Sequence, residues 1–268
     1  MNEQSGSDSQ TESIINRTRR QEQIAEFVLL HTSARVQELA ELFNVSPMTI
    51  HRDLDELENQ GVIRKVRGGA TAQPSSLFES DVRYRRITAI NEKEAIARAA
   101  MAYVEPGQAL ILDDSTTTFL LARSLVDIEQ LTVITNCLGV INELSPCKNI
   151  RLIALGGDYF PRYDAFAGVV CEQAINALRA SVLFISTSAV SELTAFHQEQ
   201  EIVKVKRAML ASAEKRILLI DHNKFGKVAL HRLAPLYDFS HIIVDSGIDP
   251  ATLQNLKSAR LHVDVARL

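Results

Sequence analysis

The sequence has little of what would place it in several large functional classes. Cysteine occurs three times, at Cys137, Cys147 and Cys171. That odd, scattered set argues against a disulfide framework and fits a reducing cytoplasm. Buried, inert thiols are the expected state. No apolar run approaches the roughly 18 residues that a membrane-crossing helix needs. The opening stretch MNEQSGSDSQTES is polar and lacks the apolar core of a signal peptide, so residues 1–15 read as a disordered tail. Positive charge is also in short supply. Lys and Arg total 29 against 33 Asp and Glu, a formal charge of −4, so any nucleic-acid contact must come from a local patch. The seven histidines show no metal-ligand spacing with cysteine, which predicts no zinc site. Neither a Gly-x-Gly-x-x-Gly turn nor a Walker loop is present, so no nucleotide and no other cofactor is expected.

What the chain does have is a core: 46% of its 268 residues are hydrophobic, enough for one large or two modest domains. Arg20 to His31 carries Ile24, Phe27, Val28 and Leu30 at near-helical spacing. ARVQELAELFNV places Val36, Leu39, Ala40, Leu42 and Phe43 on one side of a second helix, which Asn44 ends. Ser46 and Pro47 then supply the cap and first position of a third helix, and Gly61 closes it. VIRKVRGGA follows as a short ribbon. Helix, helix, turn, helix, ribbon is the order of a winged helix-turn-helix over 16–71. Residues 72–89 mix Thr, Gln, Pro and Ser with RYRR and read as a linker. From 90 to 268, apolar runs (QALILDD, LTVITN, IRLIALGG, SVLFIS, RILLID, HIIVD, LHVDVA) alternate with amphipathic helices. Runs that are apolar throughout predict strands covered on both faces, hence an open, largely parallel α/β domain.

On the third helix, Ile50, Leu54 and Leu57 share the inward face. Asp53 lies near that side and is assigned to internal pairing. Met48, Thr49, His51 and Arg52 occupy the outer first turns, the part of a recognition helix that reaches base edges. Arg52 suits two parallel hydrogen bonds to guanine, and Met48 a thymine methyl. Ser46 and the free N–H groups of the first turn suit phosphate. Alone, such a helix is an ordinary solvated face. The ribbon changes that, because Arg64, Lys65 and Arg67 are placed to straddle the adjacent DNA backbone. Arg17, Arg19 and Arg20 add a second basic cluster, and Arg20 joins the candidate contacts.

The stretch from RRQEQIAEFV through NVSPMTIHRDLDELENQGVIRKVRGGA resembles the N-terminal signature of the DeoR family of bacterial transcriptional regulators. Ser46, Thr49, Ile50, Arg52, Asp53, Leu54, Gly68, Gly69 and Ala70 match its pattern. His51 stands where the family usually has Arg, and Arg67 where it often has His. DDSTTT, VITN, LGG, VKRAM and DHNKFGK continue the family order. The resemblance implies a sensor domain like the ribose-5-phosphate isomerase and CoA-transferase folds. It also implies a repressor of a carbohydrate operon, released by a phosphorylated sugar. Ile202, Val203 and Lys204 stand where the family often shows an acidic residue.

The residues give that sensor a site. ALILDD ends at Asp113 and Asp114, and Ser115, Thr116, Thr117 and Thr118 open the next helix. Hydroxyls on a strand-to-helix turn, with the N–H groups of a helix start, form a phosphate cradle. Asn136, Gly156, Gly157 and Asp221 also follow strands, where ligands of open α/β sheets lie. The glycines would let backbone approach a ligand. Asp113 would accept from sugar hydroxyls or pair with a lysine; Lys206 and Lys224 are the candidate cations, with Glu201 orienting one. A homodimer or homotetramer on double-stranded operator DNA follows, since one winged module reads a short site. The rival reading is an isomerase or transferase with an attached helix-turn-helix. It needs a base of tuned pKa, for which Asp113, Asp114 and Asp221 offer no visible partner. A third reading, a protein-binding N-terminal module, would lack the steep salt dependence of phosphate contacts.

Overall fold

A computed structural model describes the backbone of residues 4–268, with side chains described from residue 16 onward. The chain divides into two compact units, Met1–Pro74 and Ser75–Leu268. Of the expected disordered tail, residues 1–3 and the side chains of 4–15 lie outside the described residues. The backbone is helical from Gln4.

The first unit runs α1 (Gln4–His31), β1 (Ser33–Arg35), α2 (Val36–Leu42), α3 (Pro47–Asn59), β2 (Arg64–Val66) and β3 (Gly69–Thr71). Ile24 and Val28 of α1, Leu39 of α2, and Ile50 and Leu54 of α3 meet in the core with no exposure to solvent. Leu30 and Leu42 turn outward instead, and Leu29 takes the inward place that Leu30 was expected to fill. It is Leu29, four residues after the buried Ala25, that continues the face. Asn44 has the left-handed φ of 50° that its turn requires, and Gly61 the φ of 73° that follows α3. The ribbon is a three-stranded antiparallel sheet in the order β1-β3-β2. The sequence reading missed β1 because three residues carry no alternation to read. The two glycines of the wing have separate causes. Gly68 takes φ 78° at the turn, while a Cβ on Gly69 would stand 2.1 Å from the Ala34 carbonyl oxygen.

The second unit begins with α4 (Val82–Ile87) and α5 (Ile90–Ala100) and continues β4 (Ala109–Leu112), α6 (Thr116–Arg123), β5 (Leu131–Thr135), α7 (Leu138–Leu144) and β6 (Ile150–Ala154). A hairpin, β7 (Asp158–Phe160) and β8 (Ala165–Ala167), leads to α8 (Val169–Asn176) and β9 (Ala180–Ile185). Then come β10 (Ala189–Ser191), β11 (Thr194–His197), α9 (Gln200–Ala211), β12 (Ala213–Ile220), β13 (His231–Pro235), β14 (His241–Asp245), α10 (Pro250–Ser258) and β15 (Val263–Ala266). The seven apolar runs become the seven strands of one sheet, order β15-β14-β12-β9-β4-β5-β6, and every pair is parallel. Alternate side chains feed two cores. Ile111, Leu183, Leu218 and Val244 pack with α8, α9 and α10, while Leu110, Leu112, Val182 and Leu219 pack with α5, α6 and α7. Burial on both faces is why the runs of the inner strands are apolar; the edge strands β6 and β15 expose Arg151 and Asp264. The strand order reverses between β4 and β9. The chain therefore leaves their carboxyl ends in opposite directions, the place where open α/β sheets take ligands.

Residues 75–87, expected as linker, pack on this unit. Val82 N–H donates to the Arg162 carbonyl at 2.9 Å, Gln198 Nε2 to the Ser75 carbonyl at 3.0 Å, and Ser188 Oγ bonds Glu79. Glu79, Ser80, Asp81 and Val82 are buried. The composition is that of a linker, but the segment bonds to Ser188, Arg162 and Gln198 of the same unit. Cys137 and Cys171 are buried free thiols, as expected, and Cys147 is half-buried and free.

Gly69→Ala tests the wing's packing. The Ala34 carbonyl leaves no room for a methyl, so urea unfolding should show a loss of about 1–3 kcal/mol. Gly68→Asn, which tolerates a left-handed φ, should cost far less.

Candidate nucleic-acid interface and effector site

Helix α3 opens with Ser46 Oγ accepting the Thr49 N–H at 3.1 Å, and the two hydroxyls lie 2.9 Å apart. These residues therefore set the angle of the helix start before they touch anything else. Met48 is 63% exposed, an apolar side chain that packing does not claim. His51 and Arg52 are exposed too, and among the described residues Arg52 has no ion-pair partner. Asp53 points the other way and is buried, as its position predicted. Arg20 Nε donates to Asp53 Oδ2 at 2.7 Å, Arg20 Nη2 to Oδ1 at 3.2 Å, and Gln21 Nε2 to Oδ1 at 3.0 Å. This clamp joins α1 to α3. It also takes Arg20 from the candidate DNA contacts, because the carboxylate that cannot be left unpaired claims the guanidinium. In the wing, Lys65 pairs with Asp55 of α3, and its N–H donates to Glu58 Oε1 at 2.7 Å. The wing is thereby tied to the recognition helix. Arg64 is half-buried and Arg67 is exposed at the ribbon's tip.

In the second unit, Asp113 and Asp114 end β4 at the reversal of strand order and are buried. Asp113 is a hub. It accepts the Ser115 N–H at 3.1 Å, the Thr118 hydroxyl at 2.9 Å and, from the end of β9, the Ser186 N–H at 2.8 Å. Lys206 of α9, 2% exposed, pairs with Asp113 and lies 2.8 Å from Asp114 Oδ1. Burial works against its charge, but Asp113 and Asp114 outweigh that and raise its pKa. Of the two roles expected for Asp113, lysine pairing is the one present. Lys206 is a buried tie between α9 and β4.

The hydroxyl turn divides in function. Ser115 Oγ caps Thr118 N–H at 3.1 Å, and Thr118 Oγ1 donates back to the Asp113 carbonyl at 3.0 Å. Thr116 and Thr117 form the first turn, whose N–H groups helix geometry leaves without an intrahelical acceptor. Asn136, after β5, donates to the Phe166 carbonyl at 2.8 Å, while its Oδ1 is buried without a hydrogen bond. Asp221, after β12, accepts the Asn223 N–H at 3.2 Å. Lys224 donates to the Thr187 carbonyl at 2.8 Å and lies 3.4 Å from Ser186 Oγ and 3.8 Å from Asp221 Oδ2. Asp113, Ser115, Thr116, Thr117, Thr118 and Lys224 thus belong to one junction at the carboxyl ends of β4, β9 and β12. Gly156 and Gly157 follow β6, and Gly156 has open space where a Cβ would stand. Both are exposed, and a Cβ on Gly157 would meet the Ala167 carbonyl at 2.3 Å, so the close approach is to β8. Glu201 pairs with Lys204 at 2.6 Å on the outside of α9 and orients neither Lys206 nor Lys224.

Four buried or half-buried groups escaped the sequence reading: Glu79, Arg85, Lys93 and His197. Lys93 was legible in principle, as a charge on the apolar face of α5 beside Ile96, Ala97 and Ala100. The others lie in irregular or short elements with no pattern. Burial opposes the charge on Glu79, yet the Arg85 guanidinium, helped by the Ser188 hydroxyl and Lys224, holds its pKa below the ordinary carboxylate value. His197 Nδ1 accepts the Glu199 N–H at 3.1 Å, which requires the neutral ring. Burial, then Lys206, push its pKa down to about 3.

Two family models match the chain. A DeoR-like helix-turn-helix domain covers residues 20–76, and a DeoR C terminal sensor domain covers 88–246. An uncharacterized HTH-type transcriptional regulator, YulB, of Bacillus subtilis (strain 168) is 35% identical over 250 residues, 93% of this chain and 96% of that protein. The lactose phosphotransferase system repressor of Staphylococcus aureus (strain N315) is 32% identical over 234 residues, 86% and 93% of the two chains. A solved ribose 5-phosphate isomerase A from Methanocaldococcus jannaschii is 16% identical with a TM-score of 0.39, covering 52% of this chain and 56% of that one.

Two variants of α3 should separate clamp from contact. Asp53→Asn should lower the stability of the first unit by about 1–3 kcal/mol in urea. Arg52→Ala should leave stability unchanged within about 0.5 kcal/mol and weaken binding to DNA selected in vitro. His197 predicts an acid response. Its folded pKa lies below its ordinary 6.5, so the unfolded chain takes up the proton first. Its contribution is complete above pH 6.5 and lost as pH falls toward about 3. In His197→Asn, which keeps an acceptor for Glu199 N–H, urea midpoints should fall less steeply over that window.

Proposed function

This chain belongs to the DeoR family of transcriptional regulators, and from that premise we propose that it represses an operon of carbohydrate metabolism and leaves its operator when a phosphorylated sugar occupies the second unit. It is a regulator and not an enzyme, as its relatives are. The observation that carries the DNA half of the reading is the outer face of α3: Met48, His51 and the unpaired Arg52 stand exposed on a helix whose start is capped and whose wing is tied to it. Thr49 joins them at the base edges. Arg52 reads guanine, Ser46 and the first-turn N–H groups hold phosphate, and Arg64, Lys65 and Arg67 grip the neighbouring backbone.

The effector half is supported by the junction at β4 and β9. Thr116, Thr117 and the start of α6 receive the phosphoryl group, with Lys224 beside them. Asn136, whose buried Oδ1 has no hydrogen bond, and Asp221 hold sugar hydroxyls. The relative named for a lactose phosphotransferase system supports a carbohydrate theme. Among the described residues no helix is long and apolar enough to cross a membrane. The protein acts in the cytoplasm, as at least a homodimer on paired half-sites. For release, the effector must bind the DNA-incompetent state more tightly than the competent one, by about 1–3 kcal/mol of coupling.

Fluorescence anisotropy on an in vitro selected operator tests this. Affinity should fall steeply with salt, and one member of a panel of phosphorylated sugars should release the DNA where its dephosphorylated form does not. A flat salt response would refute the DNA reading. Release by the neutral sugar alone would refute the phosphate.

A further inference from the structure

Arg17 lies on α1 one turn before Arg20, ahead of the span 20–76 that matches the family's helix-turn-helix. Its acidic partners hold it loosely. Its Nε is 4.0 Å from Asp53 Oδ1 and its Nη2 3.8 Å from Glu56 Oε2, both beyond hydrogen-bond reach. Asp53 is already satisfied by Arg20 and Gln21. The Arg17 side chain is 53% exposed and that of Glu56 44%, so their pairing contributes little to stability. The position of these partners on α3 gives Arg17 a further role. At about 100° per residue, Met48, Arg52 and Asn59 form one exposed strip. Asp53 and Glu56 lie to one side of it, toward α1, and Asp55 and Glu58 to the other, toward the wing. The wing side holds Lys65, paired with Asp55 and bonded through its N–H to Glu58. The α1 side holds Arg17. Cations thus flank the strip on both sides. Between α1 and α3 a cavity of about 390 Å³, lined by Arg17, Thr49 and Arg52 among others, leaves space for an anion beside the guanidinium. Three carboxylates line it as well. Asp53 and Asp55 are matched by Arg20 and Lys65, while Glu56 has Arg17 as its one ion-pair partner among the described residues.

We propose that Arg17 exchanges Glu56 for a DNA phosphate, on the backbone strand that bounds the groove opposite the wing. The inference rests on the placement of α3 in the groove given above. A major groove that holds a helix is walled by a phosphate backbone on each side. The wing cations serve one wall. The other wall meets the α1 side of α3. Arg20 cannot leave the buried Asp53 to serve it, whereas Arg17 gives up only an exposed pair. Such a contact fixes the orientation of the module and reads no base.

The test uses the full chain and a duplex selected in vitro with wild type, with affinity followed against salt. Arg17→Gln should weaken binding about threefold or more and lower the slope of log affinity against log salt by about 1. The loss should be equal across single-base variants of the duplex. Arg17→Lys should keep the slope. Urea midpoints check that each variant is folded. An uncharged methylphosphonate, placed in turn at each backbone position, gives a second readout. Wild type should lose affinity on both sides of the bases it reads. Arg17→Gln should be indifferent on the side away from the wing, and Lys65→Gln marks the wing side in the same scan. Unchanged affinity and slope in a folded Arg17→Gln overturn the assignment. A wild-type scan with losses on the wing side alone overturns it too, and that scan decides if Arg17→Gln does not fold. In either case a steep salt slope in wild type leaves the DNA reading standing, whereas a flat one refutes both.

Discussion

The buried pairing of Lys206 with Asp113 and Asp114 is the constraint on which the second unit depends. It sits where the parallel sheet reverses its order, between β4 and β9. The connections leave the two strands in opposite directions there, and one last backbone bond, Asp113 N–H to the Phe184 carbonyl at 3.3 Å, closes the ladder. Beyond that bond the Asp113 carboxylate holds the loops together, with the Ser186 N–H from β9, the Ser115 N–H from its own turn and the ammonium from α9. Removing one partner of such a pair strands a buried charge, which typically costs about 3–5 kcal/mol. The hydroxyl turn is therefore presented from a fixed frame.

The same device recurs in the first unit. Asp53 is a buried carboxylate that takes Arg20 and Gln21 from α1, as Asp113 takes Lys206 from α9. Asp53 faces two arginines of α1, Arg20 at 2.7 Å and Arg17 at 4.0 Å, where Asp113 faces the single ammonium of Lys206. Among the described residues Arg52, on the outer face of α3, has no ion-pair partner. The net charge of the chain is negative, so the cations exposed on α3 and its wing form a local patch and not a field of the whole protein.

Much of this was legible in the sequence, for physical reasons. The five inner strands announced themselves because burial on both faces leaves no polar alternation, while the edge strands β6 and β15 carry the exposed Arg151 and Asp264 and were legible from their β-branched residues. The start of α3 was readable because Ser46, Pro47 and Asn44 each do something that few other residues do. Asp53 was assigned inward from helical periodicity alone. The failures have reasons too. Arg20 resembles any surface arginine until its distance to Asp53 is known. Residues 75–87 have linker composition, yet Glu79 finds Ser188, Val82 the Arg162 carbonyl and Ser75 the Gln198 amide, all far away in sequence. Gly157 serves a neighbouring strand and not a ligand. Lys206 and Lys224 look alike in one dimension, and only burial separates the paired cation from the available one.

A double-mutant cycle on Asp113 and Lys206 probes this account at its base. Asp113→Asn, Lys206→Met and the double variant would be unfolded in urea and followed on the transition of the second unit. If the pair holds the junction, each single change is severe and the double change costs less than their sum, with a coupling of at least about 1 kcal/mol. Losses that add to within about 0.3–0.5 kcal/mol would mean that the two side chains act independently, and the organising role given to them would be wrong.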